Sequence, residues 1–268
     1  MCSWSLRPGG PEELARGVRA VGLSAVQLAL DPLRSGAWPV DGTVAALADA
    51  GVEIRSGMMA MAGEDYSSLE SIRRTGGVRP DRHWSTNLRA AAESAQLARR
   101  IGIPLVSFHA GFIPEERDDP LRRTMLERLR AIVDRFADQG VGVAFETGQE
   151  SAATLLAALD DLDRPAAGIN FDPANMILYG MGDPISALGA LAPRVVQIHI
   201  KDATATDEPG TWGREVAAGE GEVDWRAFFR VVEEESIDGD LMIEREAGGD
   251  RAGEMRRARE MIEGMLTG

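Results

Sequence analysis

Short apolar runs alternate with longer amphipathic stretches along the whole chain. The runs are Cys2–Leu6, Ala25–Leu30, Val52–Met59, Pro104–His109, Val141–Glu146, Ala167–Asp172, Val195–Lys201 and Leu241–Glu244. The stretches between them, such as Pro11–Val21, Ser85–Ile101 and Pro120–Gln139, are rich in Arg, Glu and Ala and about one helix long. Turn residues separate the two kinds of segment, among them Gly51, Gly102, Pro104, Gly140, Pro165 and Gly239. Strands that each lead into a helix predict a parallel sheet with helical crossovers. Eight such units in 268 residues predict a closed (β/α)8 barrel forming a single domain over residues 1–268. An open doubly wound sheet is the alternative, but no Gly-x-Gly-x-x-Gly follows the first run. No linker or shift in composition marks a second domain.

Composition narrows the function classes. The chain carries 29 basic and 43 acidic residues, a net charge of −14, with no basic stripe. That balance argues against binding nucleic acid or an anionic membrane. One cysteine, Cys2, excludes a disulfide framework and a thiolate-rich metal site and suits a reducing compartment. The first ten residues show no signal-peptide pattern, and no apolar run is long enough to span a membrane. A soluble, cytoplasmic protein is expected.

In a barrel of this kind the active site lies at the C-terminal ends of the strands. Five successive runs end on an ionisable or metal-ligating residue: His109, Glu146, Asp172, His199 with Lys201, and Glu244 with Glu246. Side chains alternate between the faces of a strand. If Glu146, Asp172 and His199 point into the barrel, then Ala144, Asn170 and Gln197 lie beneath them. Phe145, Phe171 and Ile198 then face the helices, so one phase satisfies both the core and the site.

Three carboxylates and an imidazole meeting at one point need a counterion. Glu146, Asp172, His199 and Glu244 form an O3N set suited to one divalent ion. Hard oxygen ligands without thiolate favour Mn2+ as the first choice, with Mg2+, Co2+ and Zn2+ as alternatives. Lys201 shares the parity of His199 and lies one step nearer the mouth. It is the only lysine among 29 basic residues, so a surface position here would read Arg. A compact ammonium at the mouth suits substrate binding. Asn175 and Asp202 are candidate partners for sugar hydroxyls. Trp212 and Arg214, in a Gly-containing loop, would offer a sugar ring an aromatic platform and a cation. Cys2 is expected to be structural, and His83 to sit in a loop or helix cap.

These segments resemble the xylose-isomerase-like TIM-barrel superfamily, in its sugar phosphate isomerase/epimerase branch. The carrying motifs are Ser107-Phe-His109-Ala-Gly111, Phe145-Glu146-Thr-Gly-Gln-Glu150, Asn170-Phe-Asp172-Pro-Ala-Asn175 and His199-Ile-Lys-Asp202. Thr211-Trp-Gly-Arg-Glu215, Gly219-Glu-Gly-Glu-Val-Asp-Trp225 and Ile243-Glu244-Arg-Glu246 complete them. The resemblance implies that the four ligands hold one metal, that His109 lies beside the substrate, and that Glu146 and Glu244 form the acid/base pair. It implies an isomerase or epimerase acting on a small carbohydrate through an enediolate, phosphorylated or not. The chain departs from the ketose 3-epimerases at Asn175, where they carry His, and at Ala205, where they carry Arg. His-Ile-Lys-Asp and Gly-Glu-Gly-Glu-Val-Asp resemble the inosose-dehydratase and hydroxypyruvate-isomerase side instead. A metal-dependent lyase of the inosose or dehydroshikimate type is therefore the alternative activity. A non-catalytic sugar-binding barrel is the alternative of another class. The endonuclease members need more histidines than three and a basic surface. Barrels of this kind often form homo-oligomers, and no apolar stripe here identifies an interface.

Overall fold

The computed structural model describes residues 1–208 and 210–266. Its main sheet has seven parallel strands: β1 Ala25–Ala29, β2 Glu53–Met58, β3 Leu105–Phe108, β4 Gly142–Glu146, β5 Ala167–Phe171, β6 Val195–Ile200 and, last in the sheet, Asp240–Ile243. A two-stranded antiparallel flap, β7 Asp202–Thr204 with β8 Arg214–Val216, rises beyond β6, so the seventh sheet strand is β9. The architecture is a TIM barrel.

The first expected strand, Cys2–Leu6, is the exception. Cys2 makes one parallel bridge to Gln27, its amide donates to Ile243 O at 2.9 Å, and Gln27 N donates to Met1 O at 2.9 Å. Met1 and Cys2 thus fill the gap between β9 and β1 as a two-residue stave. Ser3–Leu6 then coils into a 3-10 turn. Serine hydroxyls compete with ladder bonding. Here Ser3 Oγ accepts from Ala29 N at 2.8 Å and Ser5 Oγ from Arg245 N at 3.0 Å, capping the neighbouring staves.

The helices follow the amphipathic stretches. Pro11–Val21 begins with proline in its first turn and ends at Gly22, whose φ of 86° is a left-handed cap. The helix expected over Ser85–Ile101 starts earlier, at Asp81, which places His83 in its first turn. That over Pro120–Gln139 ends at Ala137. Among the described residues no helix is long and apolar enough to cross a membrane.

Between helices and sheet lies an apolar layer in which Phe108 and Phe145 meet edge to face at 5.4 Å, and Phe171 packs on Phe228 at 6.0 Å. The barrel interior is polar instead. Gln27 Nε2 donates to Ser107 Oγ at 2.7 Å, Ser56 Oγ donates to Gln197 Oε1, and Gln197 Nε2 donates to Asn170 Oδ1 at 3.2 Å. Every one of these groups is buried, so the network satisfies donors and acceptors that would otherwise be costly.

Candidate active site

Glu146 ends β4, Asp172 follows β5, His199 lies near the end of β6 and Glu244 follows β9. Their ligand atoms lie within 4.8 Å of one another, and all four side chains are buried. His199 Nδ1 is 3.2 Å from Glu244 Oε2, 3.5 Å from Glu146 Oε1 and 3.7 Å from Asp172 Oδ2. His199 Nδ1 and Asp172 Oδ2 make no hydrogen bond, and Glu244 Oε2 meets only the Lys201 ammonium, at 3.1 Å, besides His199. Orphaned buried atoms that converge on one point fit a divalent cation, and the oxygen-rich donor set fits a hard or borderline one.

The remaining atoms of the same residues are tied down. Asp172 Oδ1 caps the helix Pro173–Tyr179 by accepting from Asn175 N at 2.9 Å, which leaves Oδ2 for the ring. Glu244 Oε1 accepts from Trp4 Nε1 at 2.6 Å, and Glu146 Oε1 from Asn175 Nδ2 at 2.8 Å. His199 Nε2 lies 2.7 Å from Gln27 Oε1. Gln27 Nε2 is occupied by Ser107, so its oxygen faces the ring and favours a proton on Nε2, although the Asn170 amide nitrogen approaches the same atom at 2.9 Å. Nδ1 is thereby the nitrogen aimed at the carboxylates. Burial alone would lower the imidazole's pKa, but Cys2, Glu146 and Glu244 hold it well above the usual range, and a bound metal would take the place of the Nδ1 proton.

Electrostatics divides the carboxylates. Burial pushes the Glu146 and Glu244 carboxyls up, but neighbouring cations outweigh it and both stay below the usual range. For Glu146 these are His109 and His199; for Glu244 they are Lys201 and His199. Burial dominates at Asp172, whose carboxyl is raised despite Lys201. Burial also raises the Cys2 thiol to about 11, so it is no thiolate nucleophile.

Above the ring opens a cavity of about 720 Å3. His109, Asn175, Lys201 and Trp212 line it beside Glu146 and Glu244. Lys201 is only 4% exposed; its Nζ reaches Glu246 Oε2 at 2.9 Å, Glu244 Oε2 at 3.1 Å and Asn175 Oδ1 at 3.3 Å. His109 Nε2 lies 3.7 Å from Glu146 Oε1. The structure does not bring Asp202 or Arg214 to the cavity. Asp202 is on the opposite face from Lys201, and its carboxylate accepts from the amides of Gly219, Gly221 and Val223 and from the Trp225 indole. Arg214 is exposed on β8, and alternation along that strand turns Glu215 inward in its place. Sequence reasoning missed Trp4, Gln27, Glu64, Tyr66 and Glu215. Only Gln27 carried a signal, a polar residue inside an apolar run.

A family model for the xylose isomerase-like TIM barrel matches residues 14–265. The chain belongs to this family. A solved structure of a xylose isomerase domain protein from Planctomyces limnophilus is 32% identical, with a TM-score of 0.87, covering 93% of this chain and 91% of that one. A xylose isomerase-like TIM barrel protein from Mycobacterium smegmatis, solved in complex with magnesium, is 23% identical with a TM-score of 0.69, covering 96% and 88%. D-allulose 3-epimerase from Methylomonas sp., solved with D-allulose, shares the fold at 17% identity and a TM-score of 0.72, covering 95% and 91%. Among curated proteins, 3-oxo-isoapionate decarboxylase from Pectobacterium atrosepticum is 28% identical over 117 residues, 42% of each chain. The curated relatives are thus matched over less than half their length.

Proposed function

We propose that this protein is a divalent-metal-dependent isomerase or epimerase of a small keto-sugar. The observation that carries the reading is the convergence of ligand atoms from Glu146, Asp172, His199 and Glu244 within 4.8 Å of one another beneath a cavity lined by Glu146 and Glu244. Glu146, Asp172, His199 and Glu244 would hold the ion, with Mn2+ the first choice. When bound, such an ion supplies Lewis-acid polarisation of a carbonyl and its neighbouring hydroxyl.

The chain's own groups then move the proton. Glu146 and Glu244, both held ionised by their neighbours, are the acid/base pair: one carboxylate takes a proton from the carbon beside the carbonyl and the other returns one. Asn175 and Trp4 hold the two carboxylates in position, at 2.8 and 2.6 Å respectively. His109 and Lys201 face the substrate's oxygens, and Trp212 and Tyr179, whose rings meet at 5.0 Å, form an apolar wall over it.

The decarboxylase relative supports a second reading, a lyase on the same scaffold, in which loss of CO2, or proton abstraction followed by loss of water, passes through the same kind of enolate. NMR in D2O over a panel of keto-sugars, inososes and 3-oxo sugar acids, with Mn2+ present, separates the two. Deuterium entering beside the carbonyl without loss of a hydroxyl or carboxyl supports the isomerase. Loss of water or CO2 supports the lyase, and no exchange with any compound refutes both.

A further inference from the structure

We infer that the site takes an uncharged sugar and rejects phosphate esters, because an internal carboxylate, Glu215, already occupies the amides where this cavity would hold a phosphate. The inference rests on the proposed carbohydrate chemistry and specifies its substrate class.

In TIM barrels a phosphate is commonly bound by the loops after the seventh and eighth strands, through backbone amides and a helix N-terminus. With Met1–Cys2 as the first stave, those strands are β6 and β9. The Gly-rich loop after β6 does gather amides around an anion, but the anion is Asp202. Its Oδ2 accepts from Gly219 N at 2.8 Å, Gly221 N at 3.2 Å and Trp225 Nε1 at 3.0 Å, while Oδ1 accepts from Ala203 N at 2.9 Å and Val223 N at 3.2 Å. The fit is close enough that a Cβ on Gly221 would lie 2.1 Å from Asp202 Oδ1.

The loop after β9 repeats the arrangement. Glu215 reaches over from β8, and its Oε1 accepts from Glu246 N at 2.8 Å and Arg245 Nη1 at 2.7 Å, while Oε2 accepts from Ala247 N at 3.1 Å. Arg245 is further held by Glu254 at 2.6 Å. Both amide nests are therefore spent on side chains of the chain itself, and of the two it is the Glu215 nest, to which Arg245 also donates, that borders the cavity.

The cavity wall has the same bias. Asp31, Glu64, Glu146, Glu215, Glu244 and Glu246 line it, with no arginine among the described lining residues, although 28 of the 29 basic residues are Arg. Its single ammonium, Lys201, already contacts Glu244, Glu246 and Asn175. A dianion would enter an enclosure rich in carboxylates whose one ammonium is already paired, whereas sugar hydroxyls can donate to those carboxylates.

The test pairs D-fructose and D-ribulose with fructose 6-phosphate and ribulose 5-phosphate on the Mn2+-loaded protein. Deuterium exchange in D2O is read alongside equilibrium dialysis of inorganic phosphate. The expected result is exchange on a free ketose at least about a hundredfold faster than on its phosphate, the ratio that like-charge repulsion of several kcal/mol implies, and no saturable phosphate binding. Glu215→Ala, checked for folding by circular dichroism, frees two amides and Arg245 and should gain phosphate binding. Faster exchange on the phosphate esters, or saturable phosphate binding by the unmodified protein, overturns the inference and leaves the proposed function standing. Exchange on no ketose counts against the proposed function, while the dialysis still judges the inference. A folded Glu215→Ala protein that gains no phosphate affinity overturns the role given to Glu215.

Discussion

Gln27 accepts a hydrogen bond from His199 Nε2 at 2.7 Å across the barrel interior, and this bond points Nδ1 at Glu146, Asp172 and Glu244. The two residues are 172 positions apart, joined only because β1 and β6 enclose one lumen. An outer partner of a metal-ligating histidine fixes its tautomer and ring orientation. Replacing Gln27 by Met keeps the volume and removes the acceptor. Mn2+ affinity, measured by isothermal titration calorimetry, should fall roughly 10- to 100-fold; unchanged affinity would show that the tautomer is set elsewhere.

Glu244→Gln removes one member of the acid/base pair and one charged ligand while keeping the Trp4 contact available to its amide oxygen. Solvent deuterium exchange should drop by about 10²- to 10⁴-fold, the range for loss of a positioned acid or base. Far-ultraviolet circular dichroism should be unchanged. Exchange at the unmodified rate would remove Glu244 from the reaction.

Lys201 is the buried cation that offsets Glu244 and Asp172, at 3.1 and 3.6 Å. Lys201→Met leaves those carboxylates unpaired, and breaking a buried pair costs about 3–5 kcal/mol. Without added metal the melting temperature should fall on the order of 10 °C, and Mn2+ should recover much of the loss. Lys201→Arg should not restore activity, because a planar guanidinium does not fit the space of a point charge between three acceptors. Equal melting temperatures for Lys201→Met and the parent would contradict the pairing.

Glu150 follows Thr147-Gly148-Gln149 at the end of β4, buried with neither carboxylate oxygen hydrogen-bonded. Burial raises it from 4.5 to about 8. Between those values the folded state keeps a proton that the unfolded chain has released, so stability falls as pH rises, by about 1.4 kcal/mol per unit at most. The contribution is fully present below pH 4.5 and lost by about pH 8. Urea denaturation should therefore show stability declining from pH 5 to 8. In Glu150→Gln that decline should be shallower and stability at pH 8 higher. Superimposable pH profiles would place Glu150 in a solvated setting.

The barrel was legible because its signal is local. Apolar runs and amphipathic stretches alternate, and residue parity on β4, β5 and β6 separates the lumen from the helix-facing layer whatever the rest of the chain does. Cys2–Leu6 misled because apolar content alone cannot weigh serine hydroxyls that cap neighbouring staves against ladder bonds. Asp202 misled for a different reason: it adjoins Lys201 in sequence but points to the other face of the chain, where the Gly219–Val223 amides collect. Trp4, Glu64 and Tyr66 lie outside the regular strands, so no periodicity announces their approach to the site.

What the sequence by itself determined is the strand-and-helix alternation and the placing of His109, Glu146, Asp172, His199, Lys201 and Glu244 at strand ends. Both follow from backbone periods of 3.6 and 2 residues that act over a few positions. Only the tertiary structure decided which nitrogen of His199 faces the carboxylates, which oxygen of Asp172 is left over from capping, and that Asp202 and Glu215 fill the amide nests. Each of those outcomes is a hydrogen bond between segments far apart in the chain, and closure of the barrel is what brings the partners within reach.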